Sequence, residues 1–317
     1  MIITDVTNIG DPQIILHNGV YYEYSTCGEF GCCGFFARKS TDLIHWSEPI
    51  HVFDTERPGN GWGFDCFWAP EVVKLGDRFV MHYSANVRAM KKAGSNKHNF
   101  RIGVAVSDSP EGPFIDVYGR PMFDLGYNTI DGSVLMTDNG NYFYYSRDCS
   151  ENIIDGKKVS QLYCVRMSDD LTSVFGEHRL VATPELPFEL KSLSVKMDIP
   201  HIWNEGPNVI EYGGRYIMNY SANFYASNDY SICMAVADDP MGPWIKPESA
   251  NPVFCSGEGL FGAGHNAFFR TVSGELYTSF HVQTNPDKPS GDRRIVIGKV
   301  VLTEDAEGNI FEKIVNP

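Results

Sequence analysis

Apolar and polar residues alternate in short runs along this chain, and the runs recur in one layout. IDGSVLMTDNGNYFYYS from Ile130 and NEGPNVIEYGGRYIMNYSAN from Asn204 each lead with an acid and a glycine. A short apolar run, a polar turn and an aromatic-rich strand follow. DPQIILHNGVYYEYS from Asp11, WAPEVVKLGDRFVMHYSAN from Trp68 and GHNAFFRTVSGELYTSFHV from Gly264 have the same plan. The leading positions are Asp11, Ala69, Asp131, Glu205 and His265, spaced by 58, 62, 74 and 60 residues. Self-similarity at a near-constant period marks a repeat architecture, in which each unit needs its neighbours to bury its apolar faces.

Each copy has a second half: GFFARKSTDLIHWSEP, IGVAVSDSPEGPFID, LYCVRMSDDLTSVFGE, SICMAVADDPMGPWIKP and IVIGKVVLTEDAEGNI. These alternate at period two and break at Asp, Pro and Gly clusters, as strands ending in turns do. Two hairpins per copy make four strands. Five such units predict an all-β, five-bladed β-propeller of four antiparallel strands per blade, one catalytic domain over residues 1–317. No amphipathic helical stretch supports α/β alternation.

In a propeller the first strand of each blade lines the central channel, so its leading residues meet around one axis. Asp11, Asp131 and Glu205 are then expected to converge in a central funnel, with His265 in the fifth place. Turn capping explains an acid before Gly or Pro at any one of these positions. It does not explain matched acids in three copies.

A composition of 43% hydrophobic and 13% aromatic residues is enough for a large β core. The formal net charge of −14, without a basic run, argues against nucleic-acid or anionic-membrane partners. A neutral sugar is compatible with it. The N-terminal MIITDVTNIG lacks the basic and apolar regions of a signal peptide, which predicts a cytoplasmic protein. Its eight cysteines are then expected to be reduced, and Cys149, Cys164 and Cys233 to be small core residues.

Taken in order, the early DP, WAPEV, the mid-chain ID, EGP before an apolar strand and the late GHN resemble glycoside hydrolase family 43, over about residues 5–300. The resemblance implies a five-bladed propeller that cleaves arabinofuranosides or xylosides with inversion. It implies Asp11 as general base, Glu205 as general acid and Asp131 as the carboxylate that raises the acid's pKa and orients it. Here Gly132 follows Asp131 where many relatives have Pro. His265 matches a channel histidine under the sugar, associated in some relatives with Ca2+ or another cation. The chemistry itself requires no cofactor. Inverting hydrolysis needs one ionised and one protonated carboxyl, roughly 6.5–9.5 Å apart, so that water fits between them.

Trp68, Phe30 and Trp203 are candidate pocket walls. The late GDRRIVIGKV resembles an arginine segment that bonds sugar hydroxyls. Arg293 and Arg294 alternate faces, so one points inward, and Arg294 is the expected one. Glu71 is expected to be structural, and His82, His98 and His201 to lie on surfaces or loops. His281, ending the fifth inner hairpin, stands apart from these.

The leading functional reading is an exo-acting, inverting α-L-arabinofuranosidase on arabino-oligosaccharides or arabinoxylan fragments. β-Xylosidase and arabinanase are the alternatives within the resemblance. A retaining fructosidase-type propeller would require other motifs than GDPQI, IDGSV and NEGPN. A non-catalytic carbohydrate-binding propeller would not need all three acids.

Overall fold

A computed structural model describes residues 1–27, 34–90, 98–194 and 199–317. Helix among these residues is confined to short 3-10 segments, such as Pro187–Ser194. The first blade holds β1 (Ile2–His17), β2 (Val20–Cys27), β3 (Gly34–Ser40) and β4 (Ile50–Asp54). The second holds β5 (Trp68–Leu75), β6 (Arg78–Asn86), β7 (Phe100–Ser107) and β8 (Ile115–Asp116). The third has β9 (Thr129–Thr137) and β10 (Gly140–Arg147). A small hairpin, β11 (Ile153–Ile154) and β12 (Lys157–Val159), then precedes β13 (Gln161–Met167) and β14 (Val174–Ala182). That hairpin pairs with β15 (His201–Ile202). The fourth blade has β16 (Asn204–Tyr212), β17 (Arg215–Ala222) and β18 (Ser231–Ala237). The fifth has β19 (Gly264–Arg270), β20 (Leu276–Gln283) and β21 (Arg293–Glu304), edged by β22 (Ile310–Val315).

The expected five-bladed propeller is this fold, with one departure in strand count. The fourth blade has three strands, and its outer place holds two isolated bridges, Val236 to Ile245 and Ile232 to Phe254. Pro243 and Pro247 flank the first and Pro252 precedes the second, and proline cannot donate to a ladder. Closure uses both ends of the chain. The first half of β1 pairs with β21 from Ile2–Ile297 to Ile9–Arg293, and β22 continues along β21 from Lys299–Val315.

The middle strands are apolar on both faces because each is packed between two blades. Phe143 and Tyr145 of β10 join Val80, Ile102 and Val104 of the second blade. Tyr144 between them joins Met218, Tyr220 and Cys233 of the fourth. Tyr24, Phe35 and Phe53 meet Met81 and Tyr83 in the same way, and Ile9, Ile14 and Tyr21 meet Phe269 and Ile295 across the closure. Cys149, Cys164 and Cys233 are buried, as expected of core cysteines.

At the channel each inner strand has a bulge, and there the repeat needs correcting. The residues with left-handed backbone are Asp11, Ala69, Asp131, Gly206 and His265, with φ of 56, 43, 57, 60 and 49°. The fourth member is therefore Gly206, not Glu205. Glu205 pairs with Ser221, where the other copies pair Gly10 with Thr26, Trp68 with Ser84, Ile130 with Ser146 and Gly264 with His281. Left-handed backbone is costly for most residues and free for glycine, so the fourth copy takes its bulge at the glycine.

The partners of those pre-bulge residues stitch the blades into a ring. Ala69 N–H donates to Thr26 Oγ1 (2.8 Å), Asp131 N–H to Ser84 Oγ (3.1 Å) and Gly206 N–H to Ser146 Oγ (3.2 Å). His265 N–H donates to Ser221 Oγ (2.6 Å), and Asp11 N–H to His281 Nδ1 (3.1 Å). Each bond crosses from one blade to the next, satisfying a channel amide that would otherwise be orphaned. The ring closes through an imidazole where the other four junctions use a hydroxyl.

Candidate active site

The funnel above this ring opens into a cavity of about 450 Å³, lined among others by Asp11, Trp68, Asp131, Glu205, Tyr225 and Arg293. All three expected carboxyls reach it. Asp11 and Asp131 occupy bulge positions. Glu205 precedes its bulge, so its side chain leaves the strand in a different direction and reaches the Tyr230 hydroxyl, which donates to Oε1 (2.8 Å). The one-residue offset lets the acid approach the cavity along its own line.

Asp11 is held as an anion. Burial pushes its pKa up, but the nearby His265 and Arg293 outweigh that and hold it well below the usual carboxylate range. Arg293 Nη1 lies 3.0 Å and His265 Nδ1 3.2 Å from Oδ1, and Thr26 donates to Oδ2 at 2.6 Å. His281 accepts the Asp11 amide through Nδ1, which requires its neutral form. Burial first, and then the nearby Arg293, push its pKa well down.

The other two acids are pushed the opposite way. Burial lifts the Asp131 carboxyl to about 6, against the imidazole of His265 and with the Asp11 anion. Asp131 Oδ2 accepts from Ser146 Oγ and from the Gly206 amide, both at 3.1 Å, so it grips the backbone beside the acid. Glu205 is raised far above the usual range, first by burial and then by the Asp131 charge. Pairs of carboxyls with pKa values driven apart mark an acid and a base.

The sequence profile of the Glycosyl hydrolases family 43 matches residues 6–307. The chain belongs to this family. A solved structure described as a thermostable family-43 glycoside hydrolase is 38% identical, with a TM-score of 0.87 over 99% of this chain and 95% of its own. A β-D-galactofuranosidase of Aspergillus niger is 27% identical over 94% of the chain and 80% of its own length. An arabinoxylan arabinofuranohydrolase of Paenibacillus polymyxa is 25% identical over 86% of the chain. The chain spans only 43% of that relative's length.

Other residues of this family-43 site differ from expectation. Arg293, not Arg294, faces the cavity. β21 runs in unbroken register on β20, with Gln283 opposite Arg293, and this alternation turns Arg293 toward Asp11 and Arg294 to the opposite face. A β-carbon on Gly10 would collide with the Arg293 guanidinium, so that glycine makes its room. Trp68 lines the cavity, braced by Phe100 at 4.5 Å between ring centroids. Trp203 does not line it; it is buried between His201 and Phe224. Phe30 lies outside the described residues.

Glu71 is structural, as expected. It sits below the cavity on the channel axis and accepts the Val134 amide at 2.8 Å, with burial lifting its carboxyl to about 8. His82, expected at the surface, is fully buried against Phe143 and bonded to the Leu171 carbonyl. Among the described residues no three or more His, Cys, Asp or Glu side chains are grouped to hold a metal ion. His265, turned to Asp11 with the His281 ring 6.5 Å away, offers an imidazole nitrogen and does not fit direct coordination of a hard cation, which takes six to eight oxygens.

Tyr225, Tyr230 and the hydroxyl ring were not anticipated. The ring had a signal: an aromatic residue followed by Ser or His recurs as Tyr83-Ser84, Tyr145-Ser146, Tyr220-Ser221 and Phe280-His281.

Asp131→Asn tests the electrostatics. With Glu205 as the general acid, the basic limb of kcat/KM would report loss of its proton. The Asp131 anion raises the pKa of Glu205, so removing it moves that limb to lower pH. A pH–rate profile of the variant against the parent checks the direction.

Proposed function

We propose that this family-43 protein is an inverting exo-hydrolase that releases terminal α-L-arabinofuranosyl groups from arabino-oligosaccharides or arabinoxylan fragments. The observation that carries the reading is the split in protonation within one cavity. Asp11 is kept ionised by Arg293 and His265, while Glu205 is kept protonated by burial and Asp131.

In this reading water attacks the anomeric carbon as Asp11 takes its proton. The glycosidic C–O bond breaks, its electron pair stays on the leaving oxygen, and Glu205 supplies the proton there. Asp131 holds the Gly206 amide and so orients the acid. Arg293, stacked at 4.9 Å over the Tyr225 ring, is placed to meet sugar hydroxyls at the cavity wall. Arabinofuranose is favoured over xylose by the furanoside named for both the Aspergillus and the Paenibacillus relatives.

A panel of aryl glycosides tests the substrate, with α-L-arabinofuranoside expected to be cleaved at least about tenfold faster in kcat/KM than β-D-xyloside or β-D-galactofuranoside, a gap of roughly 1.4 kcal/mol. Proton NMR of the first-released sugar tests the stereochemistry. The β-anomer is expected, and initial release of the α-anomer would refute inversion.

A further inference from the structure

The His265 amide can only donate, and it donates to Ser221 Oγ at 2.6 Å. The Ser221 hydroxyl keeps its own proton to give, and the Tyr230 hydroxyl is its neighbour. Tyr230 in turn donates to Glu205 Oε1 at 2.8 Å. With Tyr230 donating, Oε1 is the accepting oxygen. A protonated Glu205 then carries its proton on Oε2.

The Tyr230 ring is fixed independently of that hydrogen bond. It is fully buried and lies almost flat on His281, with ring centroids 5.5 Å apart and planes 7° off parallel. The ring also abuts Gly264, where any β-carbon would collide with it. His281 also holds the Asp11 amide, so this one stack braces the base and the acid together.

We propose that Tyr230 is a positioning residue for proton delivery: by occupying Glu205 Oε1 it leaves Oε2 to carry the proton to the glycosidic oxygen. The inference rests on reading Glu205 as the general acid. In the step, the Oε2–H bond breaks, an O–H bond forms on the leaving group, and the C–O electron pair stays with that oxygen. The Tyr230 hydrogen bond then stabilises the buried carboxylate left behind. Asp11, Asp131, Asp148, Cys149 and Tyr225 also face this carboxyl, and none of them donates a hydrogen bond to it.

Tyr230→Phe tests this with two α-L-arabinofuranosides, one with a dinitrophenyl leaving group that departs without a proton and one with a methyl group that needs it. The variant is expected to lose about 10–100-fold in kcat on the methyl glycoside, with KM little changed and the dinitrophenyl substrate nearly unaffected. Its basic limb should move to higher pH, because a donor to the carboxylate is gone. Ser221→Ala removes only a hydroxyl, should give a smaller loss of the same selectivity, and serves if Tyr230→Phe does not fold. Equal losses on both substrates, or an unmoved basic limb, would overturn the proposal. Glu205→Ala is measured alongside. If it lacks leaving-group dependence, the acid assignment fails; if it has that dependence and Tyr230→Phe does not, only the positioning role fails.

Discussion

Replacing Glu205 with alanine is expected to lower kcat/KM on an unactivated arabinofuranoside by about 10²–10⁴-fold, the range a positioned general acid contributes. The dinitrophenyl arabinofuranoside, whose leaving group is stable as an anion, should lose far less. The basic limb of the pH profile should vanish with the residue that sets it. Circular dichroism and thermal melts would separate this from misfolding. Truncation removes a buried, mostly protonated carboxyl and leaves the Tyr230 hydroxyl unpaired, at a cost of about 1–3 kcal/mol that the fold must absorb.

Asp11→Asn should be comparably damaging, by about 10²–10⁴-fold, but with a different signature. Every substrate still needs an activated water, so good and poor leaving groups should suffer alike. The substitution keeps the shape and keeps the backbone amide on His281. It removes the anion that faces Arg293, His265 and His281. Glu205 loses a negative neighbour as well, so residual activity should fall off at lower pH than in the parent enzyme. Steady-state kinetics on the two substrates across pH would check both effects. A loss confined to poor leaving groups would contradict the role of Asp11 as base.

The propeller and its period were readable because burial on both faces of every middle strand leaves apolar, aromatic-rich segments at regular intervals. The acids were readable for the same reason, since each stands at the head of such a segment. The register of the fourth copy was not. Asp131-Gly132 and Glu205-Gly206 look alike in sequence, yet the bulge falls on the acid in one and on the glycine in the other. What decides it is which residue adopts left-handed backbone, and at Asp11, Ala69 and His265 nothing in the side chain announces that conformation. The choice between Arg293 and Arg294 was hidden for a related reason. Alternation fixes that one arginine points inward, but the register of β21 on β20 decides which. Tyr230 lies on the loop between β17 and β18, outside the repeated inner hairpins, so the repeat carried no information about it.

The strand that seals the propeller also carries Asp11. Ile9 pairs with Arg293 at the seam, and Asp11, two residues on, takes its ion pair from that same arginine. Fraying of this edge therefore cannot be silent, because peeling β1 from β21 dismantles the anion site before the remaining blades are disturbed. Heat inactivation and amide exchange along residues 2–9 should share one local opening event, at less than the free energy of global unfolding. A sugar bound across Asp11 and Arg293 would resist that opening by mass action, so occupancy of the funnel would protect the seam between the first and last blades.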